Sequence, residues 1–483
     1  MTSLYPSIMP TLKVHSTVVC FGSLLAGVLC TAASALAEET ALDRYIAKPD
    51  ATYSWKVVRT IPSAGVTQFI VDLKSQTWRS EEDVDRPVWQ HWLNVVKPAR
   101  PTSNIAWLMI GGGANGGDPP QSADDFVVRI AEATNTVVAE LKMVPNQPLV
   151  LHGDGVPRKE DDFIAYTWNQ FIKTGDETWP ARLPMVKSAV RAMDCIQELL
   201  ASEQGGKLAI EKFVVSGGSK RGWTTWCTAA VDKRVIAAIP IVIDVINVPA
   251  CSRHHIAAYG FYAEAIGDYV RHNLKQRMDD PRTKLLYAIE DPYSYRDRLT
   301  MPKFVVNASG DQYFPPDSSQ FYFNDLKGEK YLRYVPNADH SLRDSDARES
   351  IIAFYQTVLN NKPRPKYSWT FEEDGSIRVK TADAPKAVTL WQATNPQARD
   401  FRVKTIGKAY QSQPLEDQGG GVFVGKIVPP EKGWTAFFIE LTYDVGQSYP
   451  LKLSTAVRIL PDTLPFADLD PADAQLESRA GGN

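Results

Sequence analysis

The sequence predicts an α/β fold with a mostly parallel central sheet, followed by an all-β region towards the C-terminus. Between residues 105 and 359, short apolar strands alternate with stretches that carry apolar residues at helical spacing. Such alternation is typical of parallel sheets. After the Pro-rich segment 360–365, short alternating strands are separated by Gly- and Pro-rich turns. With 483 residues and 44% hydrophobic residues, the chain is long enough for two domains with large cores.

The elements of the α/β region follow from these periodicities in chain order. Residues 53–78 alternate apolar and polar side chains and open the sheet with antiparallel strands. Further strands are predicted at residues 105–110, 136–141, 211–216, 235–243, 303–309 and 331–336. Helices are predicted at residues 124–133, 161–174, 185–202, 223–230, 318–325 and 344–359. Residues 252–290 carry few strand signals, and they form either a helical cap over the site or a plain pair of packing helices.

The C-terminal region predicts a β-sandwich of the immunoglobulin type over residues 367–462. Its strands are predicted at residues 367–372, 377–380, 388–391, 401–404, 422–427, 435–443 and 451–458. We expect this domain to fold on its own and to carry no catalytic residue. Residues 463–483 are expected to form a disordered tail.

Residues 1–37 have the features of a signal peptide. Lys13 precedes a charge-free stretch that closes with Ala35-Leu36-Ala37. A basic start, an apolar middle and an Ala-x-Ala end are typical of a cleaved signal. The alternative is an uncleaved anchor, because the charge-free run approaches the length that spans a bilayer. We expect cleavage, a secreted or periplasmic protein with no stable membrane insertion, and a first mature domain at residues 38–362.

The segment Phe213–Trp223 predicts a nucleophile elbow. A β-branched run ends in Gly217-Gly218-Ser219, and helix-compatible residues follow from Trp223. A sharp strand–turn–helix geometry exposes a serine hydroxyl at the end of a strand. The common spelling is Gly-x-Ser-x-Gly, whereas Arg221 occupies the second glycine position here and Gly222 follows it. The alternative is a Gly-rich turn that merely contains a serine.

A serine nucleophile needs a histidine base and an orienting carboxylate. Asp311 follows one predicted strand and His340 follows the next, so the order Ser219, Asp311, His340 is that of the α/β-hydrolase fold. All three lie just past strand ends, where open α/β sheets bind ligands. The rival acids are Asp244, Asp317 and Asp339, and the rival histidines are His254, His255 and His272.

An oxyanion hole needs two backbone donors. The N–H of Lys220 is one candidate, since it follows the serine directly. The second candidate is Gly113, in the glycine-rich loop 111–117 after a buried strand. Such a loop could instead hold phosphate, but neither the Gly-Lys-Ser/Thr ending nor the Gly-x-Gly-x-x-Gly spacing is present.

Composition limits the other classes of function. The net charge of −3 gives no sign of a nucleic-acid partner or an anionic membrane partner. No spacing of cysteine and histidine suggests zinc, and no cofactor is expected. The mature chain keeps Cys195, Cys227 and Cys251, so at most one disulfide is possible, and a buried free thiol is favoured at Cys227.

Six segments resemble the PhoPQ-activated pathogenicity-related protein family. They are Gly217–Trp223, Asp291–Lys303, Asn307–Asp311, Asp317–Tyr322, Lys327–Leu342 and Trp391–Arg402. The resemblance covers most of the mature chain. It implies an α/β-hydrolase-like domain, secretion or periplasmic residence, and an association with bacterial virulence regulation. Because similar sequences in a social amoeba act as secreted proliferation repressors, it also leaves a signalling role open. Over a few residues, the elbow is similar to that of glucuronoyl esterases.

These observations predict an α/β-hydrolase fold with a cap-like insertion and a C-terminal β-sandwich. The expected activity is that of a secreted serine hydrolase that cleaves a carboxylic ester or amide through an acyl-enzyme. Its substrate would be a small molecule or an acyl group linked to a peptide or glycan. The alternatives are a short-peptide serine peptidase of the dipeptidyl-peptidase type and a non-enzymatic secreted signal or virulence protein.

Overall fold

A nine-stranded mixed sheet forms the centre of the structure. The computed structural model describes residues 39–478. The strands of its N-terminal three quarters are β1 (Ser54–Pro62), β2 (Val66–Thr77), β3 (Val88–Pro98), β4 (Ile105–Ile110), β5 (Val137–Leu141), β6 (Leu149–Val150), β7 (Pro157–Arg158), β8 (Lys212–Gly218), β9 (Val235–Ile241), β10 (Lys303–Ala308) and β11 (Lys330–Val335). Strands β6 and β7 pair only with each other among the described residues, and the other nine form the sheet.

The order of the central sheet is β1-β2-β3-β5-β4-β8-β9-β10-β11. The first three pairs are antiparallel, and every pair from β5 to β11 is parallel. The mostly parallel sheet predicted from the alternation is therefore present. Because parallel strands end at one edge, the loops after β4, β8, β9, β10 and β11 meet at the same side of the sheet.

Ten α-helices lie in the described chain. They are α1 (Ala41–Ala47), α2 (Asp125–Thr134), α3 (Glu160–Thr174), α4 (Arg182–Ala201), α5 (Lys220–Val231), α6 (Val248–Tyr259), α7 (Gly267–Arg271), α8 (Pro281–Glu290), α9 (Ala347–Leu359) and α10 (Val403–Ile406). Helix α2 shows how sequence sets the ends: the Asp124 carboxylate accepts from the N–H of Phe126, and Asn135 ends the helix in the left-handed region. Within residues 39–478, no helix has the length and apolarity needed to cross a bilayer.

Helices cover both faces of the parallel strands. Strand β4 is apolar and almost fully buried, as expected for a strand covered on both sides. One hydrophobic cluster joins Leu108 and Val215 to helices α3, α4 and α5, and a second joins Trp107 and Val214 to helices α2 and α9. These two layers fix the sheet, so that its carboxyl edge can hold loops in defined positions.

The C-terminal region consists of two antiparallel sheets. Its strands are β12 (Tyr367–Phe371), β13 (Ile377–Thr381), β14 (Ala387–Asn395), β15 (Gln411–Pro414), β16 (Val422–Gly425), β17 (Trp434–Tyr443), β18 (Leu451–Ser454) and β19 (Arg458–Leu460). Strands β12, β13 and β16 form one sheet; the other has the order β15-β14-β17-β18, with β19 pairing β17. The predicted antiparallel region is present, and the immunoglobulin-like sandwich stays a prediction. From Thr40 onward the described chain forms one compact unit, and independent folding of residues 367–462 also stays a prediction.

Two segments differ from the elements predicted for them. Residues 401–404, expected as a strand, turn into α10 because the Asp400 carboxylate accepts from both the backbone N–H and the guanidinium of Arg402. Residues 318–325, expected as a helix, form two short 3-10 turns, Ser318–Phe321 and Phe323–Asp325. In both, local side-chain hydrogen bonds or tertiary contacts override the apolar pattern.

The C-terminal tail is ordered as far as it is described. Residues 463–478, for which the sequence predicts disorder, pack on the insertion around Tyr262. The Tyr262 N–H donates to the Gln475 carbonyl, and the Glu477 N–H donates to the Tyr262 carbonyl. The Glu477 carboxylate also pairs with Arg402 at 2.9 Å. These contacts offset the entropy of ordering a polar segment, which composition alone cannot reveal.

Candidate active site

Ser219 lies between β8 and α5 in a strained backbone conformation. Its φ is 57° and its ψ is −127°, a combination that costs a non-glycine residue on the order of 1–3 kcal/mol. The Ser219 N–H donates to the Ile241 carbonyl of β9 at 2.8 Å, and the Ser219 carbonyl accepts from Trp223. The turn is thus held on both sides, and Ser219 stands at the carboxyl edge of the sheet as the elbow pattern predicts.

The glycines of this turn are required by close backbone approach. A Cβ atom at position 217 would lie 2.6 Å from the Arg221 carbonyl oxygen. One at position 222 would lie 2.9 Å from the Gly217 carbonyl oxygen. Both distances are shorter than van der Waals contact, so a larger residue at either position would force the elbow open. The geometry accounts for Gly222 as the second glycine of the motif, one residue later than in the common spelling.

Asp311 and His340 form a hydrogen-bonded pair. The His340 Nδ1 lies 2.7 Å from Oδ2 of Asp311, whose side chain is only 4% exposed. The backbone N–H of His340 donates to the Gln312 side chain, and the Tyr313 ring packs against the imidazole at an angle of 40°, with centroids 4.3 Å apart. Nε2 of His340 is buried, and none of the described residues accepts or donates a hydrogen bond there. A buried ring nitrogen without a partner is uncommon, and catalytic sites are among the places where it occurs.

The rival acids are engaged elsewhere. Asp244 accepts hydrogen bonds from the hydroxyls of Tyr322 and Tyr334, each at 2.6 Å. Asp317 pairs with His254 and Arg399, and Asp339 accepts from the Ser341 hydroxyl. Asp311 is therefore the carboxylate that contacts His340 within residues 39–478.

The rival histidines also have other partners. Nε2 of His254 lies 2.8 Å from Asp317, and Nε2 of His272 lies 2.8 Å from Asp162. The His255 ring accepts from the Ala263 N–H, and burial holds the pKa of His255 well below its usual range. A histidine kept neutral by burial and tied to backbone packs the insertion rather than reaching Ser219.

Arg221 connects the elbow helix to residues 143 and 144, whose N–H groups donate to the carbonyls of Gly112 and Gly111 in the glycine-rich loop. Nε of Arg221 donates to the Val144 carbonyl at 2.5 Å, and its two terminal nitrogens donate to the Glu160 carboxylate. A Cβ atom at position 112 would lie 2.6 Å from the Arg221 guanidinium, so Gly112 leaves room for it. Gly113 has a φ of 129°, which side-chain-bearing residues rarely adopt. Arg221 thus performs a positioning role at the place where most elbows have glycine.

Two cations, Arg221 and Lys220, lie beside the Glu160 carboxylate and lower its pKa. Burial alone would raise the pKa of Glu160, but Arg221 and Lys220 together hold it at about 2. Lys220 Nζ lies 2.8 Å from the Glu160 carboxylate and 3.4 Å from that of Asp161. The Lys220 side chain is therefore directed to α3, whereas its backbone N–H belongs to the first turn of α5, where N–H groups have no intrahelical acceptor.

A small cavity opens beside Ser219. Its volume is about 60 Å³, and its wall is mostly apolar. The lining comes from the elbow (Ser219, Lys220, Trp223), α3 and α4 (Asp161, Trp168, Arg182), the loop after β9 (Ile243, Val245), the insertion (Val248, Ile266, Tyr269, Lys275) and the loop after Asp311 (Tyr313, Phe314). Tyr313 and Phe314 also pack on the His340 ring, so the loop that carries the acid joins this cavity to the histidine.

The structure brings most of the predicted residues to one edge of the sheet. Ser219 and Tyr313 share a cavity, and Tyr313 joins it to the Asp311–His340 pair. The insertion is mostly helical between residues 248 and 290 and lines the cavity through Val248, Ile266, Tyr269 and Lys275. Of these four, the sequence pointed only to Tyr269, as one of the aromatic residues of the insertion. The aromatic pair Tyr313-Phe314, two residues after Asp311, was an available signal for the site. Cys195, Cys227 and Cys251 are buried and unbridged.

Comparison with known proteins identifies relatives along almost the whole chain. A family model described as PhoPQ-activated pathogenicity-related protein matches residues 42–402. The autocrine proliferation repressor protein A of Dictyostelium discoideum is 38% identical over 467 residues, which cover 90% of this chain and 93% of that protein.

Solved structures with partial similarity include three hydrolases. The acetyl xylan esterase 1 of Thermoanaerobacterium sp. covers 66% of this chain and 92% of its own, with 13% identity and a TM-score of 0.44. A glucuronoyl esterase from Solibacter usitatus covers 65% and 90%, with 14% identity and a TM-score of 0.38. The acylaminoacyl peptidase of Pyrococcus horikoshii covers 64% and 57%, with 11% identity and a TM-score of 0.37.

Proposed function

The chain belongs to the PhoPQ-activated pathogenicity-related protein family, and from its site we propose that it is a serine hydrolase that cleaves a carboxylic ester or amide. The observation that carries the proposal is the hydrogen bond of 2.7 Å between His340 Nδ1 and Asp311, which leaves a buried Nε2 without a described partner. Ser219, in a strained elbow at the same sheet edge, is the nucleophile that this arrangement needs.

The proposed reaction runs through an acyl-enzyme. The Ser219 Oγ attacks the substrate carbonyl while His340 Nε2 takes its proton. Asp311 fixes the imidazole tautomer through Nδ1 and stabilises the imidazolium. The backbone N–H groups of Lys220 and Gly113 donate to the oxyanion, which then collapses and expels an alcohol or amine protonated by His340. Water activated by His340 cleaves the acyl-enzyme and restores the Ser219 hydroxyl. All of these steps use side chains and backbone only.

The test is covalent labelling with a fluorophosphonate probe. The activated serine displaces fluoride and becomes phosphonylated, and peptide mapping identifies the residue. We expect modification at Ser219 in the wild type, none in Ser219→Ala, and full labelling in the control Ser294→Ala, which changes a serine of the 3-10 helix Pro292–Arg298. Turnover by Ser219→Ala should fall by about 10⁴-fold or more. Labelling at a different serine, or turnover that survives Ser219→Ala, would overturn the proposal.

The choice between esterase and peptidase needs a second comparison. A cavity of about 60 Å³ suits a short acyl group better than a long one, because a cavity of about 150 Å³ is already large enough to bind a molecule the size of benzene. Rates on short acyl esters should therefore exceed those on aminoacyl amides of equal leaving-group reactivity. The reverse order would identify a peptidase with the same three residues.

A second candidate is a secreted signal that needs no catalysis. It is favoured by the relative named as an autocrine proliferation repressor, which matches 90% of this chain. The two candidates separate in a growth assay on Dictyostelium discoideum cells with wild-type protein and Ser219→Ala. Equal repression by both proteins would assign signalling to the surface rather than to the hydrolase site.

Secretion is also a proposal, and it rests on the sequence of residues 1–37, which lie outside the described residues. Cleavage after Ala37 would release a chain that begins at Glu38. N-terminal sequencing of the protein from the culture medium or periplasm is expected to give Glu38-Glu39-Thr40. Recovery of the full chain in the membrane fraction would support the anchor instead.

A further inference from the structure

The cavity beside Ser219 contains one ammonium group that no described carboxylate pairs with. It belongs to Lys275, in the short 3-10 helix Lys275–Arg277 between α7 and α8. Its Nζ donates to the Ser252 hydroxyl at 2.8 Å and lies 5.9 Å from the centre of the Tyr269 ring. A lysine ammonium has three donors. One hydrogen bond to a hydroxyl therefore leaves most of its capacity unused.

The other charged groups that line this cavity are compensated. Lys220 pairs with Glu160, and Asp161 accepts from the Tyr269 hydroxyl. Arg182 donates to the Lys220 carbonyl, and its Nε faces the Glu290 carboxylate at 3.7 Å. Lys275 differs because burial lowers its pKa to about 8, and no described carboxylate offsets that burial. A desolvated charge of this kind is costly unless a ligand supplies its partner.

Lys275 stands where two cavities adjoin. The second has a volume of about 30 Å³ and shares Val245, Ile266, Lys275, Tyr313 and Phe314 with the cavity that contains Ser219. Ser219 and Lys275 both line the first cavity, so an acyl group that is bonded to Ser219 and fills this cavity meets the ammonium. The acyl part of a substrate is the part that stays bonded to the serine through both half-reactions, whereas the leaving group must escape.

We propose that Lys275 binds a carboxylate carried by the acyl part of the substrate. The substrate class is then an ester or amide of a short dicarboxylic acid, in which one carboxyl group is acylated onto Ser219 and the other is ionised. Lys275 contacts the substrate but not the reacting carbonyl, so it is a specificity residue. This inference rests on the proposed function for the position of the acyl group, and its test is a binding measurement that needs no turnover.

The experiment compares two ligands of the same shape on the Ser219→Ala protein. The probes are monomethyl succinate, which carries a carboxylate, and methyl succinamate, its neutral amide isostere. Saturation-transfer NMR or calorimetry gives both affinities. We expect the anion to bind about tenfold more tightly or better, which is the size of one hydrogen bond to a charged group. Equal affinity for the two ligands would overturn the proposal.

Three further variants assign the preference to Lys275, each combined with Ser219→Ala. Lys275→Met should erase it, and Lys275→Arg should retain part of it because the charge remains. Lys284→Met removes an exposed lysine of α8 and should leave the preference intact. A preference that survives Lys275→Met, or that is lost equally in Lys284→Met, would contradict the proposal. Failure of the proposed function would instead appear as absent fluorophosphonate labelling of the Ser219 protein.

Discussion

Two neighbouring strands end in the same way and lead to different chemistry. Asp244 follows β9 and Asp311 follows β10, and each lies three residues past its strand and is almost fully buried. Asp311 faces an imidazole, whereas Asp244 faces two tyrosine hydroxyls. Burial raises the pKa of Asp244 to about 8, against the opposing effect of the two tyrosines. Burial thus favours the neutral form of Asp244, and a neutral carboxyl cannot stabilise an imidazolium.

The difference teaches that position at a strand end does not assign a catalytic acid. The acid is instead identified by its hydrogen-bond partner, which the loop after β11 carries. The β11 loop brings His340 over Asp311, while Tyr334 of β11 and Tyr322 reach Asp244 from the other direction. Asp311 and Asp244 therefore make a matched pair for mutation, since the two are equally placed in the sheet and differ in their partners.

The largest effect is expected from substitution of the acid itself. Asp311→Asn should lower kcat by roughly 10³–10⁴-fold, because an amide no longer fixes the imidazole tautomer. Asp244→Asn should change kcat by less than about threefold. Steady-state kinetics on one activated short-chain ester measures both, and circular dichroism checks the fold. The opposite ranking would move the acid to the end of β9 and end the distinction drawn between the two strands.

The next effect concerns Arg221, the elbow residue whose partners contact the glycine-rich loop. Arg221→Met removes the contacts to Val144 and Glu160 that hold the Gly112–Gly113 turn. We expect kcat to fall by about 10–100-fold with little change in KM, since loss of an oxyanion donor costs about 10²–10³-fold and the loop here is only loosened. Arg191→Met on α4, with an ion pair to Asp194, is the control. An unchanged kcat in Arg221→Met would show that the loop holds its shape without the arginine.

A third buried aspartate extends the comparison to the C-terminal region. Burial alone would raise the pKa of Asp317, but His254 and Arg399 hold it below its usual range. Arg399→Met removes one partner of a buried carboxylate, so we expect a loss of about 3–5 kcal/mol in unfolding free energy and only a few-fold loss in kcat. Urea unfolding and ester kinetics measure the two. Arg458→Met provides the reference, because Arg458 donates to backbone carbonyls and lies over the Phe371 ring but pairs with no carboxylate among the described residues.

A truncated chain tests the division between the α/β region and the C-terminal region. A chain that ends near Asn361 lacks Arg399 and lacks Val403, whose N–H donates to the Gly310 carbonyl directly before Asp311. Independent folding with no role in the site predicts that such a chain, if soluble and folded, still labels at Ser219. A folded fragment that fails to label would show that the C-terminal region supports the acid loop.

The smallest effect on activity is expected from the ionisation of Asp244. It changes the free energy of unfolding with pH. The pKa of Asp244 is about 8 in the folded chain and about 3.9 in an unfolded one. Its stabilising contribution is present below pH 4 and is lost as pH rises towards 8, because the folded state binds the extra proton. Between pH 5 and pH 8 the wild type should lose on the order of 3–4 kcal/mol more than Asp244→Asn. Urea unfolding at both values tests this, and a parallel loss in Asp244→Asn would contradict it. The exposed Asp297→Asn serves as control.

Much of the candidate site could be predicted because its signals are local. The Gly217–Gly222 turn, the Gly-Asp at 310–311 and the histidine after β11 each follow an apolar strand. Parallel strands place such residues at one edge whatever the rest of the chain does. Local signals also gave two wrong predictions, a strand at residues 401–404 and a helix at residues 318–325. Side-chain contacts made in the fold determine the conformation of both segments.

The sequence by itself determined the order of the three candidate site residues along the chain: a serine in an elbow, an aspartate and a histidine, each just past the end of a strand. Only the tertiary structure decided which aspartate meets the histidine, why arginine replaces glycine at position 221, and that Lys275 enters the cavity. The physical reason is the distance along the chain between the residues that determine each feature. Turn geometry depends on a few neighbouring residues, whereas burial and hydrogen-bond partners depend on residues that are distant in the chain and adjacent only after folding.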